Sequence, residues 1–178
     1  MAVTDSLAKL PYVDADRLGA MGWSYGGYMM MWLQGHTTRF KAMAAMMGVY
    51  NLTAMHGSTE ELWFPQFDLG GTPYDSDDYR KWSPNQFVKN FKTPCLVITG
   101  ELDYRVSYTQ SLEFFTDLQL IGVPSRLLVF PNDGHWPNGI KSMPLYYNAH
   151  LDWFHKYLGG DPAPYEMIRM IRNQAFTE

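Results

Sequence analysis

The chain is poor in cysteine and in charge, and it has no long apolar run. A single Cys95 among 178 residues excludes an internal disulfide framework. Fourteen Lys and Arg against eighteen Asp and Glu leave a net charge of −4, so there is no basic footprint for nucleic acid or anionic lipid. Uncharged stretches such as 42–54 are broken by glycine and polar residues, well short of the roughly eighteen apolar residues a membrane span needs. No transmembrane helix and no nucleic-acid partner are therefore expected. Residues 1–13 hold Asp5, Lys9 and Pro11 and no apolar core, so a signal peptide is not expected there. What is abundant is apolar bulk: six Trp, twelve Tyr, ten Phe and twelve Met predict large buried faces or an interface.

Strand-like and helix-like segments alternate along the chain, which is the pattern of a parallel sheet with crossover helices. The fold class is α/β, with about four parallel strands and flanking helices. Strands are expected at 17–23, 41–48, 96–99 and 126–130. The segment 41–48 is rich in helix-favouring Ala and Met, but its short length and the flanking Gly48 suit a buried strand better. Residues 25–34 read as a helix ended by Gly35 in a left-handed cap. Ser107 and Gln110 fit a capping box for a helix that ends at Gly122. Tyr147, Leu151, Phe154 and Leu158 recur at helical spacing. Residues 51–93 lack periodicity and read as an excursion with short helices near Glu60 and Tyr79, and residues 161–178 read as a peripheral tail.

Gly22-Trp23-Ser24-Tyr25-Gly26 is a Gly-x-Ser-x-Gly motif between a predicted strand and a predicted helix. That context gives it mechanical meaning as a nucleophile elbow, a turn so sharp that both glycines are expected to be sterically required. Tyr25 would lend its backbone N–H to an oxyanion hole. An acid and a histidine should follow, each in a loop at the C-terminal end of a strand. Asp103 lies just past Gly100, and His135 lies shortly after Phe130. A serine hydroxyl is a poor nucleophile at neutral pH, so His135 would take its proton while Asp103 fixes the imidazole tautomer.

Gly22-Trp23-Ser24-Tyr25-Gly26-Gly27-Tyr28-Met29, Gly100-Glu101-Leu102-Asp103-Tyr104-Arg105-Val106 and Phe130-Pro131-Asn132-Asp133-Gly134-His135-Trp136 resemble the catalytic domain of the prolyl oligopeptidase family of serine peptidases. The nearest branch is the acylaminoacyl-peptidase and dipeptidyl-peptidase V group, and the likeness runs from about residue 3 to about residue 158. It implies an α/β-hydrolase fold and cleavage of short peptides near the N-terminus, with Ser24, Asp103 and His135 as nucleophile, acid and base. Arg105 matches a position where some members hold a substrate carbonyl, and its fork of donors suits that task; the alternative is a salt-bridged surface arginine. Val49, Trp63 and Phe64 are candidates for the side-chain pocket. The resemblance also implies that residues 1–160 form only the C-terminal half of the catalytic domain. The N-terminal strands, the loop supplying a second oxyanion donor and the β-propeller of the family are absent from the chain.

No cofactor is expected. His36, His56, His150 and His155 have no spacing that pairs two on one face with a Cys or carboxylate, so no metal site is expected either. Met29, Met30, Met31 and Trp32 read as the buried start of the nucleophile helix, and Cys95 as an inert buried thiol. Asp75, Asp77 and Asp78 read as a helix N-terminus. Two other functions fit the same residues: an esterase on the same fold, or a catalytically silent fragment that self-associates. In every case the strand carrying Ser24 would have an uncovered edge, so a homo-oligomer or association with the missing N-terminal part is expected.

Overall fold

A computed structural model describes residues 1–172 and 174. In chain order the elements are α1 (Ala2–Leu7), β1 (Gly19–Trp23), α2 (Tyr25–Gln34), β2 (Ala42–Met46), α3 (Leu52–His56), α4 (Trp63–Asp68) and α5 (Asp78–Lys81). A 3₁₀ helix over Pro84–Asn90 follows, then β3 (Cys95–Gly100), α6 (Thr109–Leu120), β4 (Ser125–Phe130), α7 (Ser142–Leu158) and α8 (Met167–Ile171). The four strands form one parallel sheet in the order β1-β2-β3-β4. This is the α/β arrangement read from the alternation of segments.

The central strands β2 and β3 are buried along their whole length. Successive side chains alternate between two cores. Met43, Ala45, Cys95 and Val97 face Met30 and Met31 of α2 and Phe114 and Leu118 of α6. Ala42, Ala44, Met46, Leu96 and Ile98 face Ala149 and Trp153 of α7, with Met167 of α8. Burial on both faces overrides the helical preference of Ala-Met-Ala-Ala-Met and makes β2 a strand. Cys95 opens β3 with its thiol pushed up to about 12 by burial, which makes it an inert thiol at neutral pH.

Several local signals resolve differently from their sequence reading. Gly35 ends α2 in a right-handed conformation (φ −81°), so its left-handed freedom goes unused. Gln110 does not cap α6. It is buried, and its Oε1 accepts from the backbone N–H groups of Tyr50 (2.9 Å) and Asn51 (2.8 Å), tying α6 to the loop after β2. Gly122, at φ +75°, does follow the end of α6. In α7 the buried positions are Asn148, Ala149, His150 and Trp153, while Tyr147 (57%) and Leu151 (52%) are exposed. Phe154 packs on the second core from the same helix.

Within the stretch expected as a tail, α8 packs on α7 through buried Met167 and Met170. Asn148 clamps that segment by donating to the Tyr165 carbonyl (2.8 Å) and accepting from the Tyr165 N–H (3.1 Å). Asn173 and residues 175–178 of that stretch lie outside the described residues. No described helix is long and apolar enough to cross a membrane.

The excursion holds four short helices: α3, α4 and α5 surround a third core of Val49, Leu52, Met55, Tyr79 and Val106, which Tyr28, Phe64 and Leu69 flank, while the 3₁₀ helix packs Phe87 and Val88 on the first core. Asp77 and Asp78 begin α5, as read, whereas Asp75 accepts from the Thr72 hydroxyl at 2.6 Å.

Candidate active site

At the end of β1 the backbone reverses into α2 through Ser24, which sits at φ +57° and ψ −115°. A non-glycine residue there is held against a cost of order 1–3 kcal/mol. The turn is pinned on both sides: the Ser24 N–H donates to the Met46 carbonyl (2.9 Å), and the Ser24 carbonyl accepts from the Tyr28 N–H (3.0 Å). Met47, next after β2, also has a positive φ (+46°) and donates its N–H to the Ile98 carbonyl at 2.9 Å.

Of the two motif glycines, only Gly22 is sterically forced. A Cβ at Gly22 would fall 2.2 Å from the Gly26 carbonyl oxygen, whereas a Cβ at Gly26 would meet nothing within 4 Å. The second crowded position is Gly27, where a Cβ would lie 2.4 Å from the Met46 carbonyl oxygen and 2.8 Å from the Gly48 Cα.

Asp103 lies in the loop after β3 and His135 in the loop after β4, and both reach the elbow. The His135 Nδ1–H donates to Asp103 Oδ2 at 2.7 Å, and His135 Nε2 meets Ser24 Oγ at 2.9 Å. Asp103 is buried, and its other oxygen accepts from the backbone N–H groups of Arg105 (3.0 Å) and Val106 (2.9 Å). With Nδ1 committed as donor to a carboxylate, Nε2 carries the lone pair and can accept the Ser24 proton. Tyr25 is the first residue of α2, so its N–H has no helical carbonyl to receive it.

A cavity of about 700 Å³ opens beside Ser24 and His135. Val49 and Phe64 lie on its wall, together with Arg105. Trp63 does not. It is 68% exposed, because adjacent residues of α4 point to different sides and Phe64 takes the inward one. Leu52, Met55, Tyr28, Trp32 and Trp82 complete an apolar lining that no sequence signal singled out for substrate contact. Of the methionines after the nucleophile, Met30 and Met31 are core, while Met29 faces the cavity. Tyr28 is half-buried; its hydroxyl donates to the Trp82 carbonyl (3.0 Å), and desolvation pushes its pKa up to about 12.

Arg105 is ion-paired through Nη2 to Glu61 (3.2 Å) and Glu60 (3.6 Å), while its buried Nε has no hydrogen-bond partner. Arg105 is thus salt-bridged, as the alternative reading has it, and it also lies on the cavity wall. The Glu60 N–H donates to the Tyr104 carbonyl (2.9 Å), which brings the excursion to the acid's loop. Among the described residues no group of His, Cys, Asp and Glu could hold a metal ion.

A model of the prolyl oligopeptidase family matches residues 1–161. The dipeptidyl-peptidase 5 of Porphyromonas gingivalis is 39% identical over 164 residues, which cover 89% of this chain and 24% of that protein. The dipeptidyl-peptidase 5 of Aspergillus fumigatus is 41% identical over 156 residues, covering 85% of this chain and 22% of that protein. Among solved structures, the acylaminoacyl peptidase of Pyrococcus horikoshii superposes with a TM-score of 0.85 at 27% identity, over 95% of this chain and 28% of that one. The chain thus spans about a quarter of the length of the curated relatives it matches.

Proposed function

The chain belongs to the prolyl oligopeptidase family, and from that premise we propose that it carries the chemistry of a serine peptidase acting on short peptides near their N-terminus. The observation that carries the proposal is the unbroken line from Asp103 through His135 to Ser24 at 2.7 and 2.9 Å, set on a strained turn beside an apolar cavity. The names of the relatives, dipeptidyl-peptidase and acylaminoacyl peptidase, favour attack close to the peptide's amino end.

In this mechanism Ser24 Oγ attacks the scissile carbonyl carbon as its proton passes to His135 Nε2. Asp103 keeps Nδ1–H oriented and stabilises the imidazolium that forms. The carbonyl oxygen takes the negative charge and meets the Tyr25 N–H. The C–N bond then breaks, His135 returns the proton to the leaving amine, and an ester remains on Ser24 until water, activated by the same His135, releases it. The reaction needs no cofactor. Arg105 would turn its donors toward the carbonyl preceding the cleaved bond, and Val49 and Phe64 would border the adjoining side chain.

On the same reading, the free edge of β1 is where the chain associates. β1 has one paired neighbour among the described strands, and Met21 on it is 52% exposed.

The test of the chemistry is the intact mass of the chain after incubation with a fluorophosphonate, beside Ser24→Ala. One covalent adduct on the unsubstituted chain alone is expected. No adduct on folded protein would reject Ser24 as an activated nucleophile.

A further inference from the structure

A nucleophile elbow reverses the chain without help from the side chain that precedes the serine, so that residue is available for another task. Here it is Trp23. Its indole Nε1–H donates to the backbone carbonyl of His135 at 2.9 Å. Its ring lies beside the His135 imidazole, with centroids 4.7 Å apart and planes tilted by 55°. It also stacks on Trp136, with centroids 3.5 Å apart and planes within 25°. Trp136 is itself 55% exposed, so the stack holds the indole from the solvent side.

His135 lies in the irregular stretch between β4 and α7. The other ties of that stretch grip its flanks. The Asp133 carbonyl accepts from the Leu102 N–H (3.0 Å), its carboxylate accepts from the Gly139 N–H (3.4 Å) and from the Ser142 hydroxyl, and the Trp136 carbonyl accepts from the Asn138 N–H (3.0 Å). None of these holds the peptide of His135. The bond from Trp23 does, and Trp23 is covalently next to Ser24. Nucleophile and base are thereby referred to one rigid point, the end of β1, so the 2.9 Å between Oγ and Nε2 does not depend on the loop alone.

Resting on the function proposed above, we propose that Trp23 is a positioning residue for His135, acting through its indole N–H and held in orientation by Trp136. A misplacement of about 1 Å between reacting groups costs up to about 100-fold in rate.

Trp23→Phe keeps an aromatic ring and removes the donor. In the full chain its maximal rate of fluorophosphonate labelling is expected to fall roughly 10- to 100-fold, with the half-saturating reagent concentration within about twofold. The low-field proton resonance of the His135–Asp103 hydrogen bond, assigned by its loss in His135→Gln, is expected to broaden in the same variant. Trp136→Leu, a change at the surface, is expected to move both readouts in the same direction by a smaller factor. It replaces Trp23→Phe as the deciding variant if the latter does not fold. An unchanged maximal rate and an unchanged resonance in the deciding variant overturn the proposal. If the unsubstituted chain is not labelled at all, the catalytic reading fails, and the resonance alone decides whether Trp23 positions the imidazole.

Discussion

Gly27 and Gly48 touch backbone to backbone: a Cβ on Gly27 would lie 2.8 Å from the Gly48 Cα, and one on Gly48 would lie 2.4 Å from the Gly27 carbonyl carbon. The first turn of α2 therefore rests directly on the loop after β2. This contact, with the Ser24 N–H bonded to the Met46 carbonyl, sets the height of the serine above the sheet.

Alanine substitutions along the elbow should separate cleanly. Gly22→Ala and Gly27→Ala would drive a methyl into backbone that cannot swing aside, and each is expected to cost about 3 kcal/mol or more. Gly26→Ala meets nothing within 4 Å and lies inside α2. It is expected to be neutral or stabilising by up to about 1 kcal/mol. Urea unfolding of the three variants checks the order, and a Gly26→Ala as damaging as Gly27→Ala would refute it.

The strain at Ser24 makes a second prediction. Ser24→Ala and Ser24→Gly lose the same hydroxyl and its bond to His135, but only glycine is at ease at φ +57°. Relief of about 1–3 kcal/mol of strain, less about 0.4–1 kcal/mol for glycine's greater unfolded-state freedom, leaves Ser24→Gly more stable than Ser24→Ala by about 1 kcal/mol. For a chain of this size that is a rise in Tm of about 2–4 °C. Equal melting temperatures would mean that the turn stores no more strain than the roughly 0.4–1 kcal/mol glycine loses through its unfolded-state freedom.

Strands and site residues were legible in the sequence where one local signal decides them. Gly22, Gly100 and the Pro131–Gly134 run close strands, and the residues beyond them must lie at the same end of a parallel sheet. That places Ser24, Asp103 and His135 together without knowledge of any contact. The excursion over residues 51–93 was not legible, since its helices run to only four to seven residues. They are too short for a period to show, and tertiary contacts fix them instead. The walls that they contribute, such as Leu52 and Met55, were therefore hidden, with Phe64 the exception. Gln110 carried a correct local signal that lost to a better offer, two backbone donors buried at the end of the neighbouring loop. Trp23 was visible only as a motif letter, because its bond spans to a residue far along the chain.

Stability should fall in mild acid through His150. It is buried on α7, its Nδ1–H donates to the Tyr146 carbonyl (2.8 Å), and its Nε2 faces the Met46 sulfur (3.3 Å). Desolvation lowers its pKa from the ordinary 6.5. Below about pH 6.5 the unfolded chain takes up a proton that the folded chain refuses, so stability is complete above that pH and is lost as pH falls toward the lowered folded value. The slope from this group is at most about 1.4 kcal/mol per pH unit. His150→Asn keeps a donor near the Tyr146 carbonyl and cannot titrate. Its stability difference from the parent chain should shrink or reverse between pH 7 and pH 5, and a difference independent of pH would remove His150 as the cause.

The outer edge of β1 bears on how the chain exists in solution. Among the described residues β1 has a strand partner on one side only, and with Met21 half-exposed on it the other side makes a template for pairing with another strand. In a preparation of this chain alone, the strand available is that of a second copy. Light scattering should give a multiple of 20.5 kDa. Met21→Lys puts a charge on the edge, which opposes strand addition at little cost where the side chain already meets solvent. It should shift the particle toward a single chain while leaving the melting of the sheet nearly unchanged. A well-folded, strictly monomeric parent chain would show that the edge needs no cover, and the apolar residues around it would then need a different explanation.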